Sequence, residues 1–264
     1  MLCGSFCHIL DVGDDMQRYF ICSDKLVDDQ AVITGADVHH IMDVMRKSVG
    51  DQLTLCTCDK RSYLVEIITL DKLKVIVKVV KRKKEDVELP VLVTISQGIT
   101  KKDKFEWVLQ KATECGAYAF IPVAMKRSVA NIDAGNAEKK VKRWQKITLE
   151  AARQSHRQLV PNVKRPLDLK DLIAHSGEYD MCLFAYEAHG DGSKSALADA
   201  IARFKPEMRV LVLIGPEGGL DEVEVEMLIK AGFRAVGLGP RILRTETAPI
   251  YIMSAISYAM ELCK

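Results

Sequence analysis

The sequence predicts an α/β protein in two parts, a small β-barrel-like module followed by a larger domain built on a parallel sheet. Three observations carry this expectation. Between Arg18 and Lys81 the chain is a succession of short strand patterns separated by turn signals. From Val91 onward, buried-type strands alternate with amphipathic helices, and a strand, helix, strand order with short connections makes a parallel pair. Between the two regions lies a charged run, Lys81-Arg82-Lys83-Lys84-Glu85-Asp86, with Pro90 after it, which reads as a linker. The expected bounds are an extension over 1–15, the small module over 16–82, the linker over 83–89 and the large domain over 90–264. At 264 residues and 48% hydrophobic content the chain can fill two cores.

The first fifteen residues carry neither a basic leader nor a sustained apolar core, so they do not make a secretory signal, and Met16 is an alternative start. No run approaches the length of a membrane span. Eight cysteines show no C-x-x-C pair and several lie in apolar patterns, which fits free thiols in a reducing cytoplasm. Cys3, Cys7 and His8 lack a second ligand pair at zinc spacing, so no metal is expected. In the module, strands are expected over Tyr19 to Cys22, Ala31 to Ile33, Gln52 to Thr57, Tyr63 to Leu70 and Leu73 to Val80. One short helix is expected over Asp37 to Met45, where Val38, Ile41, Met42 and Met45 share a face.

The large domain opens with a strand over Val91 to Ser96. Asp103 and Glu106 then have capping-box spacing, Phe105, Val108, Leu109, Ala112 and Cys115 line one helical face, and Gly116 ends the helix. Tyr118 to Val123 is the next strand. A long helix over 137–158 carries eight cations on its outer face, which only Glu138 and Glu150 answer from the same helix; that imbalance favours a surface for RNA phosphates. Asp180 to Tyr186 forms a third strand, followed by a loop with His189, which has no visible partner.

Five apolar residues, Val210 to Ile214, form a strand buried on both faces. It runs into Gly215-Pro216-Glu217-Gly218-Gly219, where the lack of Cβ atoms lets a ligand approach the backbone. Asp221 and Glu224 open the next helix as a capping box, with Leu220 and Val225 as its staple and Gly232 as its stop. A short strand, Ala235 to Leu238, then ends in a second loop, Gly239 to Thr247. In an open parallel sheet, loops at the carboxyl ends of strands face one crevice. Gly237-Leu238-Gly239 begins a G-x-G-x-x-G, but Ile242 stands where the third glycine belongs and no P-loop exists, so neither nucleotide fingerprint is present. Thr247 is positioned to cap the last helix with Pro249 in its first turn. That helix is apolar nearly all round, which burial against the sheet or in a homodimer would explain.

The two loop sequences, IGPEGGLDEVE and LGPRILRTETA, resemble those of SPOUT-type methyltransferases, specifically the 16S ribosomal RNA uracil-N3 methyltransferase family. HHIMDVMRKSVGDQL resembles that family's N-terminal segment, as do Lys126-Arg127-Ser128 and EAARQSHRQLVPNV; Cys58-Asp59-Lys60-Arg61 replaces a glycine-containing turn. The resemblance implies a trefoil knot in the C-terminal sheet, a PUA-like RNA-binding first domain, a homodimer, ribosomal RNA of the small subunit as partner, and S-adenosylmethionine as cofactor. It places that cofactor against Gly215, Pro216, Glu217, Gly218, Gly219, Leu238, Gly239, Ile242, Leu243, Thr245 and Thr247. Methyl transfer to N3 of uracil needs an acceptor for the N3 proton and a cation for charge growing on the flanking carbonyls. Arg244 and Arg241 lead for the cation with Arg127 third, and Glu246 leads for the base. Arg18, His40 and Arg46 in the first domain, with Lys142, Arg143, Arg153 and Arg157 on the long helix, are the candidate RNA contacts. Methylation of a ribose 2′-hydroxyl, or an RNA-binding assembly role without chemistry, are the alternatives.

Overall fold

A computed structural model describes residues 17–84, 86–101, 103–128, 134–186 and 196–263. Residues 1–16, with Cys3, Cys7, His8 and Met16, and the loop holding His189 lie outside the described residues. The chain divides into two compact units, 1–86 and 87–264.

The first unit is a curled six-stranded sheet in the order β1-β4-β5-β6-β3-β2. Its strands are β1 (Arg18–Ile21), β2 (Leu26–Val27), β3 (Gln30–Thr34), β4 (Gln52–Thr57), β5 (Arg61–Leu70) and β6 (Lys74–Lys83). β1 runs parallel to β4 and the remaining pairs are antiparallel. Register shifts at Leu64/Val65 and Ile67/Thr69 bend the long β5–β6 pair, as bulges do. The inward side chains Tyr19, Ala31, Ile33, Leu53, Leu55, Val65, Ile67, Val75 and Val77 form the core, joined by Val38 and Ile41. Those two come from α1 (Ala36–His39) and the π-turn His40–Val44 that continues it, so the expected helix is present with a widened second half. At the 58–61 hairpin, Lys60 takes the left-handed conformation (φ 60°) that a glycine would otherwise supply. The charged run expected as linker begins inside the sheet, since Lys81, Arg82 and Lys83 pair with Leu64, Tyr63 and Ser62.

The second unit is a parallel sheet ordered β10-β8-β7-β12-β11-β13, with β9 also on β8. Its strands are β7 (Leu92–Gly98), β8 (Ala119–Ala124), β9 (Asn162–Val163), β10 (Leu167–Asp168), β11 (Met181–Ala185), β12 (Arg209–Ile214) and β13 (Arg234–Val236). Helices cover both faces: α2 (Lys104–Glu114), α3 (Ala134–Gln154), α4 (Leu169–Ala174), α5 (Ala196–Ile201), α6 (Glu222–Lys230) and α7 (Ala248–Ser257). The strand β12 explains its own unbroken apolar run. Val210, Val212 and Ile214 enter a core with Phe105, Leu109, Trp144, Ile252 and Ile256, while Leu211 and Leu213 enter another with Leu172, Val225 and Leu228.

The helix ends fall partly as expected. Asp221 accepts from the Val223 amide at 3.2 Å and Glu224 accepts from the Asp221 amide at 2.9 Å, a complete capping box, and Gly232 (φ 85°) and Gly116 (φ 93°) stop α6 and α2. Asp103 and Thr247 make no side-chain cap. Glu106, expected to complete a box with Asp103, is drawn instead to Arg143 on α3 at 2.7 Å.

Arg157 corrects the RNA reading of the long helix. Its side chain is 4% exposed and forms a bidentate ion pair with Glu88, itself 6% exposed, while donating to the Thr113 carbonyl at 3.2 Å and to the Ala117 carbonyl. Glu88 also accepts from the Gln158 and Leu159 amides at 2.8 and 3.0 Å, so this ion pair staples the segment before β7 to the turn after α3. Arg157→Ala leaves the Glu88 carboxylate buried without its countercharge, and denaturant unfolding should record a loss of about 3–5 kcal/mol.

Candidate active site

The carboxyl ends of β7, β12 and β13 bring three loops together. β7 and β12 pair in register through Gln97 and Ile214, so Gly98 and Gly215 leave the sheet side by side. A Cβ on Gly98 would lie 2.5 Å from the Pro216 nitrogen and 2.7 Å from its Cδ, so only glycine permits this approach. The β12 loop then folds back, with the Gly219 amide donating to the Pro216 carbonyl at 2.9 Å and Gly219 at φ 70°. A Cβ on Gly218 would lie 3.0 Å from the Cβ of Arg127, in the loop after β8.

Gln97 joins the loops. Its Nε2 donates to Thr245 Oγ1 at 2.8 Å and reaches the carbonyls of Gly215 (3.3 Å) and Gly98 (3.4 Å). Thr245 Oγ1 donates to the Gly215 carbonyl at 2.6 Å. One amide therefore ties the end of β7 to both glycine loops.

A chain of charges runs over this junction. Lys104 Nζ lies 3.3 Å from Glu217 Oε1 and 3.6 Å from Glu246 Oε2, bridging the carboxylates of the two loops, and Glu217 also accepts from the Lys101 amide at 3.1 Å. Partial burial pushes the Glu217 pKa up, but its own amide, the Lys101 amide and the Lys104 ammonium outweigh that and hold it below the usual glutamate range. Arg244 is 83% exposed and its NH1 stands 3.9 Å from Glu246 Oε1, while the Glu246 side chain is only 15% exposed. On the other side, Lys126 Nζ lies 3.1 Å from Asp221 and lowers the pKa of that carboxyl through a hydrogen bond.

The sequence-derived cofactor residues occupy unequal places. Gly215, Pro216, Gly218, Gly219 and Thr245 are in the junction, and Glu217 is tied to it through Lys104. Leu238 and Leu243 are half-buried against the core, Gly239 is left-handed at φ 93°, Ile242 is 83% exposed, and Thr247 is exposed at the start of α7. Of the charge candidates, Arg244 and Glu246 stand together and Arg241 is exposed nearby in the chain. Arg127 is committed elsewhere, its NH1 donating to the Gly218 carbonyl at 3.4 Å and its NH2 lying 3.6 Å from Asp221, which makes it a brace for the first loop.

Three RNA candidates are corrected by burial. Arg157 is the staple described above, the Arg153 side chain is 8% exposed beside Glu150, and Arg18 is buried with NH1 3.9 Å from Cys56 Sγ. His40 is half-buried, its Nδ1 3.0 Å from the hydroxyl of Tyr19. Arg46, Lys142 and Arg143 remain exposed, although Lys142 meets Glu138 at 2.8 Å and Arg143 meets Glu106. A groove of about 730 Å³ beside Arg143 and Lys146 is lined also by Trp107, Gln110 and Ile147 of α2 and α3, and contains none of the glycine-loop residues.

Gln97, Gly98 and Lys104 belong to the loop junction, and sequence reasoning did not single them out. The available signal was a polar-glycine pair, Gln97-Gly98, closing an apolar strand where a parallel sheet opens onto its ligand crevice. Among the described residues no group of three or more His, Cys, Asp or Glu side chains is placed to hold a metal, and no helix is long and apolar enough to cross a membrane.

Residues 87–257 match the RNA methyltransferase domain, and residues 33–80 match the RNA methyltransferase PUA domain. The chain belongs to the RNA methyltransferase family. It is 44% identical over 253 residues to ribosomal RNA small subunit methyltransferase E of Bacillus subtilis, covering 94% of this chain and 99% of that protein. It is 31% identical to the protein of the same description from Mesomycoplasma hyopneumoniae, covering 90% and 98%. The crystal structure of a ribosomal RNA small subunit methyltransferase E from Neisseria gonorrhoeae bound to S-adenosyl methionine superposes with a TM-score of 0.79 at 27% identity, covering 92% and 98%. The α/β fold with its parallel sheet and PUA-like first domain is thus the family's.

Gly98→Ala tests the loop junction directly. The added methyl meets backbone, which cannot rotate aside, so overpacking should cost about 1–3 kcal/mol in denaturant unfolding.

Proposed function

We propose that this chain is an S-adenosylmethionine-dependent methyltransferase that modifies N3 of a uridine in small-subunit ribosomal RNA. The observation that carries the reading is the junction of two glycine loops at the carboxyl ends of a parallel sheet, in a chain that matches small-subunit rRNA methyltransferases along nearly its whole length. The match to the rRNA enzymes along nearly the whole chain, with Arg241, Arg244 and Glu246 present in the second glycine loop, favours it over ribose methylation or a role without chemistry.

The residues present fit the cofactor. Gly219 has open space where a Cβ would stand, which lets a polar ligand approach its backbone, while Gly98, Gly215 and Gly218 let the loops pack closely enough to form the junction. Gln97 Oε1 is buried there without a hydrogen bond. Leu238 and Leu243 offer apolar walls for an adenine ring. When bound, S-adenosylmethionine supplies the electrophilic methyl group.

The chain's own side chains do the rest. Arg244, exposed and only loosely paired, is available to face the uracil carbonyls and stabilise charge as the N3 proton leaves. Glu246, held by Lys104, is the proton acceptor in this reading. The target uridine must be unpaired or flipped, because its N3 is otherwise inside a base pair. Arg46 in the first domain, with Lys142 and Arg143 on α3, supplies phosphate contacts. Residues 16–82 form the RNA-gripping module in this scheme, and 90–264 the catalytic domain. The trefoil knot belongs to the same reading, supported by the bond Thr245 accepts from Gln97 and the one it donates to the Gly215 carbonyl.

The proposal extends to a cytoplasmic homodimer. Cys22, Cys56, Cys58, Cys115, Cys182 and Cys263 are all free thiols, as in a reducing compartment. Beside its buried face, α7 and the turn after it expose Tyr251, Tyr258 and Leu262, and neighbouring α2 exposes Trp107, apolar surface that a second copy would cover.

Three measurements test this. Titration calorimetry should show binding of S-adenosylmethionine and none of NAD or ATP; the reverse result sinks the cofactor assignment. Arg244→Ala should lower the single-turnover methylation rate about 100- to 1,000-fold, equivalent to about 2.7–4 kcal/mol, with cofactor affinity nearly intact; an unchanged rate would make the arginine structural. Light scattering at micromolar concentration should give twice the chain mass of 29.5 kDa.

A further inference from the structure

We propose that Gln97 is a positioning residue that holds the cofactor cradle in its binding shape through Thr245, an inference that rests on the S-adenosylmethionine reading above. Gln97 is completely buried near the end of β7, in a strand whose inner positions are packed on both sides. The orientation of its amide follows from one proton. The Thr245 hydroxyl spends its hydrogen on the Gly215 carbonyl at 2.6 Å, so what it offers Gln97 at 2.8 Å is a lone pair, and the Gln97 atom facing it is the NH₂ nitrogen. The same nitrogen faces the carbonyls of Gly215 and Gly98.

That orientation leaves Oε1 buried with no donor. An unsatisfied amide oxygen destabilises a fold, and an apolar side chain of the same length would fill the space without it. A residue whose polar half works against stability at a ligand crevice is the pattern of a position kept for the site rather than for the core. What the NH₂ group secures is clear from the chain around Thr245. Arg244 and Glu246 flank it, and the Arg244 carbonyl accepts the amides of Thr247 and Ala248 at 2.9 and 3.1 Å where α7 begins. Fixing Thr245 therefore fixes the peptide that carries both charged candidates, and fixes it against the first glycine loop.

Two substitutions and their combination separate this role from a purely structural one. Gln97→Met removes the donors and the orphan oxygen together, and leaves the Gly215 carbonyl with its bond from Thr245. The thermal midpoint of the ligand-free protein should stay level or rise, while the dissociation constant for S-adenosylmethionine, by calorimetry, should increase about tenfold, the upper range for one lost hydrogen bond. Thr245→Val should weaken binding similarly, and the double variant should be no weaker than the worse single one, because the link that holds the cradle is the Gln97–Thr245 bond that both changes remove. Affinity within twofold of the unmodified protein in Gln97→Met, losses that add in the double variant, or a midpoint that falls in step with affinity would each overturn the proposal. The unmodified chain is titrated first: its failure to bind S-adenosylmethionine would instead defeat the functional reading on which the proposal stands.

Discussion

Gly98 and Pro216 approach so closely that no side chain fits between them, and the rest of the domain is built around that contact. β7 and β12 are neighbours in the sheet but more than a hundred residues apart in the chain, so the approach exists only when both faces of the sheet are packed. The two cores supply this. Alternate residues of β12 anchor it to helices on opposite sides, and the strand cannot slide by one position without exchanging its two faces between differently shaped cores. Rigid strands then deliver backbone to backbone, and the loops inherit their placement from the sheet.

The polar layer above that contact works by shared partners. One lysine serves the carboxylates of two loops, one amide serves a hydroxyl and two carbonyls, and one aspartate serves a helix cap and two cations. Shared partners couple the loops, because a shift in any one of them is felt by the groups bonded to the others. Arg244 stands apart from this economy. Its side chain stands 3.9 Å from Glu246 and is open to solvent, so reaching for a substrate forfeits little, since exposed ion pairs contribute on the order of 0–1 kcal/mol.

The fold class was legible because it rests on local pattern. Unbroken apolar runs mark the strands of a parallel sheet, and glycines at helix ends mark its turns; both signals sit within a few residues of what they describe, as in the Asp221–Glu224 box. The glycine loops were legible as loops at the carboxyl ends of strands for the same reason, and the structure brings them together through Thr245. What failed was the reading of single charged residues. Arg18 and Arg157 look like any surface arginine in sequence, and their burial is decided by Cys56 and Glu88, which are 38 and 69 residues away. The capping spacing at Asp103 failed in the same way, because Glu106 has a better partner in Arg143, visible only once α2 lies against α3. Gln97 went unread because its polar-glycine signal marks the strand end but not the partner, which lies in a loop 148 residues later.

These corrections change how RNA affinity must be distributed. Eight cations on one helix suggested a continuous phosphate-binding stripe, but Arg157 and Arg153 are spent inside the fold, and Lys142 and Arg143 each stand beside a carboxylate. A cation already paired releases fewer condensed counterions when it meets a phosphate, because its carboxylate partner must be displaced and resolvated. The net charge of +2 leaves no general excess to compensate. On the proposed function, phosphate contacts fall to the cations that stay exposed, Arg46 in the first domain and Lys146 beside the α2–α3 groove among them. Linked weak sites hold a substrate only when their spacing matches it, and on that reading the shape of the folded RNA contributes to recognition before any base is read.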